Sequence, residues 1–394
     1  MREASIGPPF FSRKPGARGQ SVAADTFHTM RLKRLELWWR ALWIRILVAL
    51  MRRAPHERPA WGAGPVRVLF LRHDRAGDMI LSTGVMRAIA RSQPTIALDV
   101  LASPANASIL EAADYVANVI VFDKKRLASY LPAARRLRAA RYDAVIDCMV
   151  TAPSLTTLLL VYASGARYRV GIAGRGNDAA FNVTVPPSAR PQPHMVDLLG
   201  ALGAAFDVDA RAGALRPLLI VTPAERDWAE SAWGARRNAT ERRVLVNVSA
   251  GTPARLWADA NYVAVLRHLR QRHPAIEARV IGAPGESARA QRIAADGGAT
   301  FVRTPRIRDA FALVATADFV FTPDTSIAHA ASAFRTPCVA MYVRGTAERW
   351  ALYDTPGESV EHPESTLDTL SVERMLRAVD AVWSDSRVSR AERG

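Results

Sequence analysis

The chain has 394 residues, of which 49% are hydrophobic and 23% are charged, so two domains with full cores are possible. No uncharged apolar run reaches 18 residues, which argues against a clean transmembrane helix. The net charge is +16, and half of this excess lies in residues 1–60, which hold 12 Lys and Arg against 4 Asp and Glu. Because the rest of the charge is spread thinly, with no basic block interleaved with stacking aromatics, the charge pattern argues against a nucleic-acid groove. Cys148 and Cys338 both lie beside apolar runs, which favours buried thiols over a disulfide.

A leading segment precedes the first strand-like run. Residues 1–29 carry Gly, Pro, Ser and Arg without periodicity, and we expect them to be disordered. Residues 30–65 are predicted to form an amphipathic helix, rich in Trp, Leu and Arg, followed by a linker. Tryptophans flanked by arginines suit a membrane–water interface. The alternative is a helix that packs on the protein's own surface.

Strand-like and helix-like runs alternate from residue 66 onward. The predicted strands are 66–72, 96–101, 119–122, 143–147 and 168–172, then 243–248, 278–282, 300–302, 318–321 and 338–342. The predicted helices include 79–92, 131–140, 259–272, 286–296, 306–316 and 328–334. This alternation predicts parallel sheets covered on both faces. We therefore expect an α/β protein with two doubly wound, Rossmann-like domains, at 66–215 and at 216–394 with a terminal helix, facing a central cleft.

The first strand is followed by a short polar loop that ends in Gly77-Asp78. Asp78 lies at or beside the predicted start of a helix, where Asp is a favoured N-cap and stabilises by roughly 1 kcal/mol. A carboxylate at the mouth of a cleft can instead act as a general base. Gly77 would let another molecule approach the backbone.

Two loops of the second series carry further polar residues. Ser249, Thr252 and Arg255 follow the strand at 243–248, and hydroxyls with one cation suit an anionic ligand. An ordinary loop with a surface arginine is the alternative. Glu286 is predicted to begin a helix, where the helix dipole stabilises a carboxylate by about 0.3–1 kcal/mol. The alternative is that Glu286 binds a ribose.

The fourth loop reads TPDTSIAHAASAF from Thr322 to Phe334. We expect the backbone N–H groups of Thr325, Ser326 and Ile327 to lie unpaired at a helix start, where they can face a phosphate. The hydroxyls of Thr325 and Ser326 add donors, and His329 on the first turn can reach the same ligand.

Four elements, spread over about 250 residues, resemble the motifs of the heptosyltransferases, glycosyltransferase family nine. The matching runs are Ala76 to Arg87, Asn247 to Ala258, Gly282 to Glu286, and Asp324 to Ala333 with Pro337 and Val339. In the first run, Gly77, Asp78 and Ser82 match the family's acceptor-side loop. Ser326 replaces the family's usual glycine, and serine would cost roughly 1–2 kcal/mol there if a positive φ were required.

The resemblance implies a GT-B fold, with the acceptor on the first domain and a nucleotide-sugar on the second. It implies inverting, metal-independent transfer of a sugar, usually heptose from ADP-heptose, to a lipid-linked saccharide such as lipopolysaccharide core, without a cofactor. Asp78 would be the general base, which is worth about 10²–10⁴-fold, and Arg255 would stabilise the leaving diphosphate. The donor-binding set would be Ser249, Thr252, Glu286, Asp324, Thr325, Ser326 and His329.

The resemblance also implies a location in the cytoplasm, peripheral at the inner face of the cytoplasmic membrane. There the helix at 30–53 would meet an anionic surface beside the lipid-linked acceptor. No metal motif is evident, since HExxH and paired CxxC are absent, and the D-x-D at Asp207 to Asp209 falls between the domains.

Two hypotheses from other classes remain open at this point. A dinucleotide-dependent oxidoreductase would need a G-x-G-x-x-G turn before a helix, and the glycine-rich run Gly171 to Gly176 has the wrong spacing. A non-catalytic nucleotide-sugar binder or membrane scaffold of the same fold would need no catalytic base, and Asp78 argues against it.

Overall fold

The computed structural model describes residues 36, 38–52, 59–174, 176–187, 193–209 and 215–391, with side chains up to residue 385. The disorder predicted for residues 1–29 lies outside these described residues, as do residues 54–58 of the predicted linker. Both cysteines are buried and free, as predicted.

Within the residues that the structure describes, twelve strands form two parallel sheets of six. The strands of the first sheet are β1 (Val66–Arg72), β2 (Ile96–Ala102), β3 (Asn118–Val121), β4 (Ala144–Asp147), β5 (Tyr168–Ile172) and β6 (Val183–Val185). Those of the second are β7 (Arg242–Asn247), β8 (Ile276–Ile281), β9 (Thr300–Phe301), β10 (Phe319–Pro323), β11 (Cys338–Tyr342) and β12 (Gly357–Glu361). The predicted doubly wound α/β class is therefore confirmed.

Both sheets have the same strand order. The first runs β3-β2-β1-β4-β5-β6, and the second, read from its other edge, runs β9-β8-β7-β10-β11-β12. The order reverses between β1 and β4 in one sheet and between β7 and β10 in the other. Ligands of such sheets bind beyond the carboxyl ends of the strands at these reversal points, so the loops after these four strands are the candidate site.

Helices cover both sheets. They are α1 (38–50), α2 (Ala76–Ser92), α3 (Tyr130–Ala139), α4 (Leu155–Ser164), α5 (Met195–Gly200), α6 (Pro223–Trp233), α7 (Asp259–Arg272), α8 (Ser287–Gly297), α9 (Ile307–Thr316), α10 (Ser326–Phe334), α11 (Ala347–Trp350) and α12 (Val372–Ala391). The sequence had not indicated α4, α5, α6 or α11, nor the edge strands β6 and β12. Helix α2 packs against α10 within one hydrophobic cluster that spans both sheets, so the two domains face each other directly.

Helix α1 belongs to the leading segment and lies on the first domain. Ile44, Leu47 and Val48 pack against its core, and Met51 just beyond the helix is only 2% exposed. The buried Arg169 of β5 donates a hydrogen bond to the carbonyl of Met51 at 3.0 Å. One face of α1 therefore packs on the protein's own surface, as the alternative to a membrane-facing helix predicted. Within the described part of the chain, no helix combines the length and the apolarity needed to cross a membrane.

Candidate active site

A cleft of about 620 Å³ opens between the two domains, at the carboxyl ends of β1 and β4 on one side and of β7 and β10 on the other. Its lining from the first domain includes Arg72, Asp74, Arg75, Gly77, Asp78 and the segment from Cys148 to Thr151. The second domain contributes Ser249, Gly251, Thr252, Arg255, Glu286, Asp324, Thr325, Ser326 and His329. Every site residue proposed from the sequence lines this cleft except Ser82.

Asp78 lies in the first turn of α2 and not at its N-cap. The helix begins at Ala76 with Arg75 as the N-cap residue, so the predicted capping role of Asp78 is wrong. Its side chain is 20% exposed and reaches the cleft. Ser82 lies one turn further along, is buried, and donates a hydrogen bond to the carbonyl of Asp78 at 2.8 Å. Ser82 therefore supports the turn that carries Asp78 without facing the cleft.

The buried guanidinium of Arg72, at the end of β1, holds this turn from below. Its Nε donates to the carbonyl of Asp78 at 3.0 Å, and its Nη2 lies 3.7 Å from the carboxylate of Asp78. Its Nη1 donates to the carbonyl of Cys148 at 3.2 Å and lies 3.3 Å from the carboxylate of Asp74. Burial alone would lower the pKa of Arg72, but Cys148, Asp74 and Asp78 together raise it. Arg72 is thus a permanent cation between two acidic groups.

Asp74 and Asp147 add further acidic groups at this end of the first sheet. Burial raises the pKa of Asp74, and the neighbouring Asp78 raises it further, against the opposing effect of Arg72. Burial raises the pKa of Asp147 to about 6, although its carboxylate accepts a hydrogen bond from the backbone of Met149. The sequence did not indicate Arg72, Asp74 or Asp147 as site residues, because a pattern of strands and helices does not show which strand ends meet.

The start of α10 lies opposite, at the end of β10. Thr325 is the N-cap residue, and its hydroxyl accepts a hydrogen bond from the backbone of Ile327 at 3.3 Å and one from Asn247 at 3.1 Å. The N–H group of Ile327 is therefore capped, in contrast to the expectation that it lies unpaired. Ser326 begins the helix and has no positive φ, so the strain considered for serine does not arise.

Arg255 is tied to the same helix start. Its Nη2 lies 2.7 Å from the carboxylate of Asp324, and its Nη1 donates to the carbonyl of Asp324 at 2.8 Å. Burial raises the pKa of Asp324 to about 6, with Arg255 opposing the shift. The cation and the carboxylate thus form one largely buried pair at the edge of the cleft, and the side chain of Arg255 is 19% exposed.

His329 lies on the first turns of α10 and contacts the first domain. Burial lowers its pKa to about 4, against the opposing effect of Asp78, so the imidazole is neutral at pH 7. Its Nδ1 is buried and has no hydrogen-bond partner among the residues that the structure describes. Gly77 lies against the other side of the ring, and a Cβ placed there would be 2.6 Å from the Cδ2 atom of His329. The two domains meet at this contact.

The loops after β7 and β8 complete the second-domain side. The hydroxyl of Ser249 accepts a hydrogen bond from the backbone of Ala283, which joins the two loops. Glu286 lies 3.6 Å from Arg289 and is partly exposed to the cleft, while Thr252 is exposed at its edge. A second cavity of about 260 Å³ adjoins the cleft and shares Ser249 and Thr325 with it. Its other lining residues include Asn247, Ile281, Pro284, Thr304, Ile307 and Ile327.

The run Gly171 to Gly176 leads from β5 into a short turn at Asp178–Ala180, so it does not open the helix that a dinucleotide-binding turn requires. Across the described residues, no group of three or more His, Cys, Asp or Glu side chains is arranged to hold a metal ion.

The chain is similar to known glycosyltransferases. The sequence profile of glycosyltransferase family 9 (heptosyltransferase) matches residues 131–376. A family 9 glycosyltransferase from Veillonella parvula superposes with a TM-score of 0.71 at 15% identity, covering 83% of this chain and 99% of that one. No curated protein sequence is significantly similar to this chain.

Two structures from E. coli superpose in the same way. ADP-heptose lps heptosyltransferase II gives a TM-score of 0.63 at 18% identity, covering 82% of this chain and 100% of that one. Heptosyltransferase WaaC with ADP-2-deoxy-2-fluoro heptose gives 0.62 at 17% identity, covering 80% and 99%. Because the family profile spans more than half of the sequence, and the two facing sheets have the GT-B architecture, this chain belongs to glycosyltransferase family 9, the heptosyltransferases.

Proposed function

We propose that this protein transfers a heptose-like sugar, with inversion and without a metal ion, from a nucleotide-diphospho-sugar to a lipid-linked saccharide such as lipopolysaccharide core. The observation that carries the proposal is the arrangement of one cleft. A carboxylate, Asp78, enters it from the first domain, and a cation at a helix start, Arg255 beside α10, enters it from the second. An acid–base group and a site for an anionic leaving group thus face the same space.

The donor occupies the second-domain side. Its diphosphate lies at the start of α10, where the helix dipole and the hydroxyl of Ser326 favour negative charge. The adjoining cavity of about 260 Å³, lined in part by Ile281, Pro284 and Ile307, suits the nucleoside, since it offers apolar walls next to the phosphate site. The E. coli WaaC structure contains ADP-2-deoxy-2-fluoro heptose, which supports a nucleotide-sugar as the donor class.

The acceptor hydroxyl approaches from the first-domain side. Asp78 takes its proton as the hydroxyl oxygen forms a bond to the anomeric carbon, and the bond from that carbon to the diphosphate oxygen breaks. Attack from the face opposite the diphosphate inverts the anomeric centre. Arg72 keeps the turn of Asp78 in place through its bond to the Asp78 carbonyl.

The charge that develops on the leaving diphosphate is stabilised by fixed groups. Arg255 and Arg75 both line the cleft, and positioned cations and helix N-termini stabilise such charge strongly in a site that excludes water. This set of groups supports a reaction that needs no metal ion. Location at the inner face of the cytoplasmic membrane follows from the lipid-linked nature of the proposed acceptor.

The test is Asp78→Asn, assayed for transfer and for donor binding. Transfer should fall at least ~10²-fold, because a general base contributes about that much, while donor affinity should stay nearly unchanged. Stability should change little, since Asp78 makes no capping bond and its ion pair with Arg72 is long at 3.7 Å. Asp114→Asn, at an exposed ion pair with Arg91, is the matched control. Retention of more than about a tenth of kcat in Asp78→Asn would refute the general-base role.

A further inference from the structure

The exposed apolar side chains of this protein are concentrated on one surface of the first domain. Helices α1, α3 and α4 all pack on the cluster that contains Leu69, Leu71 and Val145, so their outward sides belong to the surface that covers this face of the first sheet. We call this surface the helical platform and define it as residues 38–52, 123–141 and 155–164. Its exposed large apolar side chains are Trp38, Trp39, Trp43, Ile46, Leu50, Leu127, Leu131, Leu159 and Tyr162.

The degree of exposure on the platform is high. Leu127 is 86% exposed, Leu50 75% and Trp38 58%. Among the large hydrophobic side chains that are exposed in the described residues, Val121 and Leu256 are the ones outside the platform. A concentration of this kind, unlike singly scattered residues, marks an interaction surface.

Basic side chains are interleaved with these apolar ones. Residues 123–141 contain seven Lys and Arg against one Asp, and residues 38–52 contain three Arg and no acid. All ten of these basic residues are exposed. The central part of a protein–protein interface is depleted of charge, whereas the boundary of an anionic bilayer attracts basic groups and accepts Trp and Leu side chains. The charge and composition of the platform therefore favour a lipid surface as its occupant.

The platform is also joined directly to the catalytic loop. His73, which follows β1 and leads to Asp78, is hydrogen-bonded to Thr157 of α4 at 3.2 Å. Helix α4 itself begins four residues after Thr151, which lines the cleft. A surface held by the platform would therefore lie beside the acceptor side of the cleft.

We propose that the whole helical platform docks on an anionic phospholipid bilayer, with α1 and the Leu127–Leu131 corner inserting apolar side chains and the arginines and lysines contacting headgroups. This deepens the proposed function, since a lipid-linked acceptor would be met at the docked surface. Docking itself requires no turnover, so it is measurable separately from transfer.

Flotation of the full-length chain with lipid vesicles tests the proposal. Vesicles of phosphatidylcholine alone are compared with vesicles that also contain phosphatidylglycerol. Deletion of the leading segment is unsuitable, because Met51 is buried in the core and its loss would uncover that core. Two double substitutions of exposed side chains are used instead, Leu127→Asn with Leu131→Asn, and Trp39→Gln with Trp43→Gln. Leu256→Asn, an exposed leucine outside the platform, is the matched control.

The full chain should float with the anionic vesicles and much less with the neutral ones. Each double substitution should lower the bound fraction by about tenfold, because removing apolar area and interfacial aromatics weakens partitioning, and Leu256→Asn should bind as the parent does. Thermal melting should be unchanged in all three, since these side chains are exposed.

Three results would overturn the proposal. The first is equal flotation with both kinds of vesicle, and the second is flotation of the Leu127 and Leu131 variant to the same extent as the parent. The third is light scattering that shows the substitutions dissociating a dimer, because the platform would then be an interface between copies of this chain. Asp78→Asn should float normally. If it floats and still transfers sugar, the proposed function fails while docking stands.

Discussion

Replacing Gly77 by alanine tests whether the contact between the two domains sets the geometry of the cleft. Gly77 lies in the first turn of α2, next to Asp78, and packs against the ring of His329 from α10. A Cβ there would lie 2.6 Å from the Cδ2 atom and 3.2 Å from the Nε2 atom of His329. Because His329 is only 5% exposed, its ring has little room to move away.

The size of the effect follows from these distances. Ordinary contact begins at 3.4 Å, so α2 and α10 must separate by about 0.8 Å. Overpacking of this kind costs about 1–3 kcal/mol, and alanine recovers up to about 1 kcal/mol through its better helix propensity. The net loss of stability is therefore small, at roughly 0–2 kcal/mol. A displacement near 1 Å between reacting groups can nevertheless cost ~10²-fold in rate.

The assay is steady-state transfer, supported by urea unfolding. We expect kcat of Gly77→Ala to fall by about 10–100-fold while the protein remains folded. Gly251→Ala is the matched control, because it lies in the same cleft but its nearest side-chain atom, Nη1 of Arg255, is 3.9 Å from the added Cβ. That variant should stay within about twofold of the parent.

A double-substitution cycle identifies the cause. In a His329→Ala background the ring that the added methyl group would strike is absent, so Gly77→Ala should cost little further rate. If Gly77→Ala keeps more than about half of the parental kcat, or loses as much rate in the His329→Ala background, the domain contact does not set the catalytic geometry.

Two further outcomes concern the donor side of the cleft. Arg255→Ala should weaken the binding of a nucleoside diphosphate much more than that of the nucleoside, because the lost contact is a charge-assisted bond to phosphate, and equal losses in calorimetry would contradict the assignment. The pKa of Asp324 is raised from 3.8 to about 6 by burial, so the folded chain retains a proton that the unfolded chain releases. The free energy of unfolding should therefore decrease by roughly 3 kcal/mol as the pH rises from about 4 to above 6. Asp324→Asn should abolish this part of the pH dependence when the free energy of unfolding is measured by urea titration. If the free energy of unfolding of the variant depends on pH as that of the parent does, another group is responsible.

Much of the fold could be predicted because apolar runs report burial on both faces of a parallel sheet. Strands β1, β5 and β11 and helix α7 begin and end where the sequence predicted. The edge strands β6 and β12 were missed because they are less apolar, with Thr184 and Glu358 exposed. Helix α4 was missed because its run of Leu and Val has no polar face to give a helical period.

The sequence predicted the motifs of the candidate site, but it did not predict the contacts among the side chains. Asp78, Arg255 and His329 were identified from the loops that follow strands, and the structure brings them to one cleft. Ser82 matched a motif yet faces away from the cleft, because it lies one turn along α2 on the buried side of that helix. Arg72 was predicted only to be the last residue of a strand, since nothing in the sequence shows that its guanidinium lies under Asp78.

The sequence by itself determined most of the strands, the alternation of strands and helices in two Rossmann-like series, and the family, because these depend on local periodicity and on motifs within short segments. The tertiary structure decided which groups meet. The pairing of Arg255 with Asp324 joins residues 69 positions apart, and the contact of Gly77 with His329 joins the two domains. Such contacts depend on how sheets stack and on which strand ends lie side by side, and no local pattern encodes these distances. The same holds for the helical platform, whose segments at 38–52, 123–141 and 155–164 belong together because they cover the same face of a sheet.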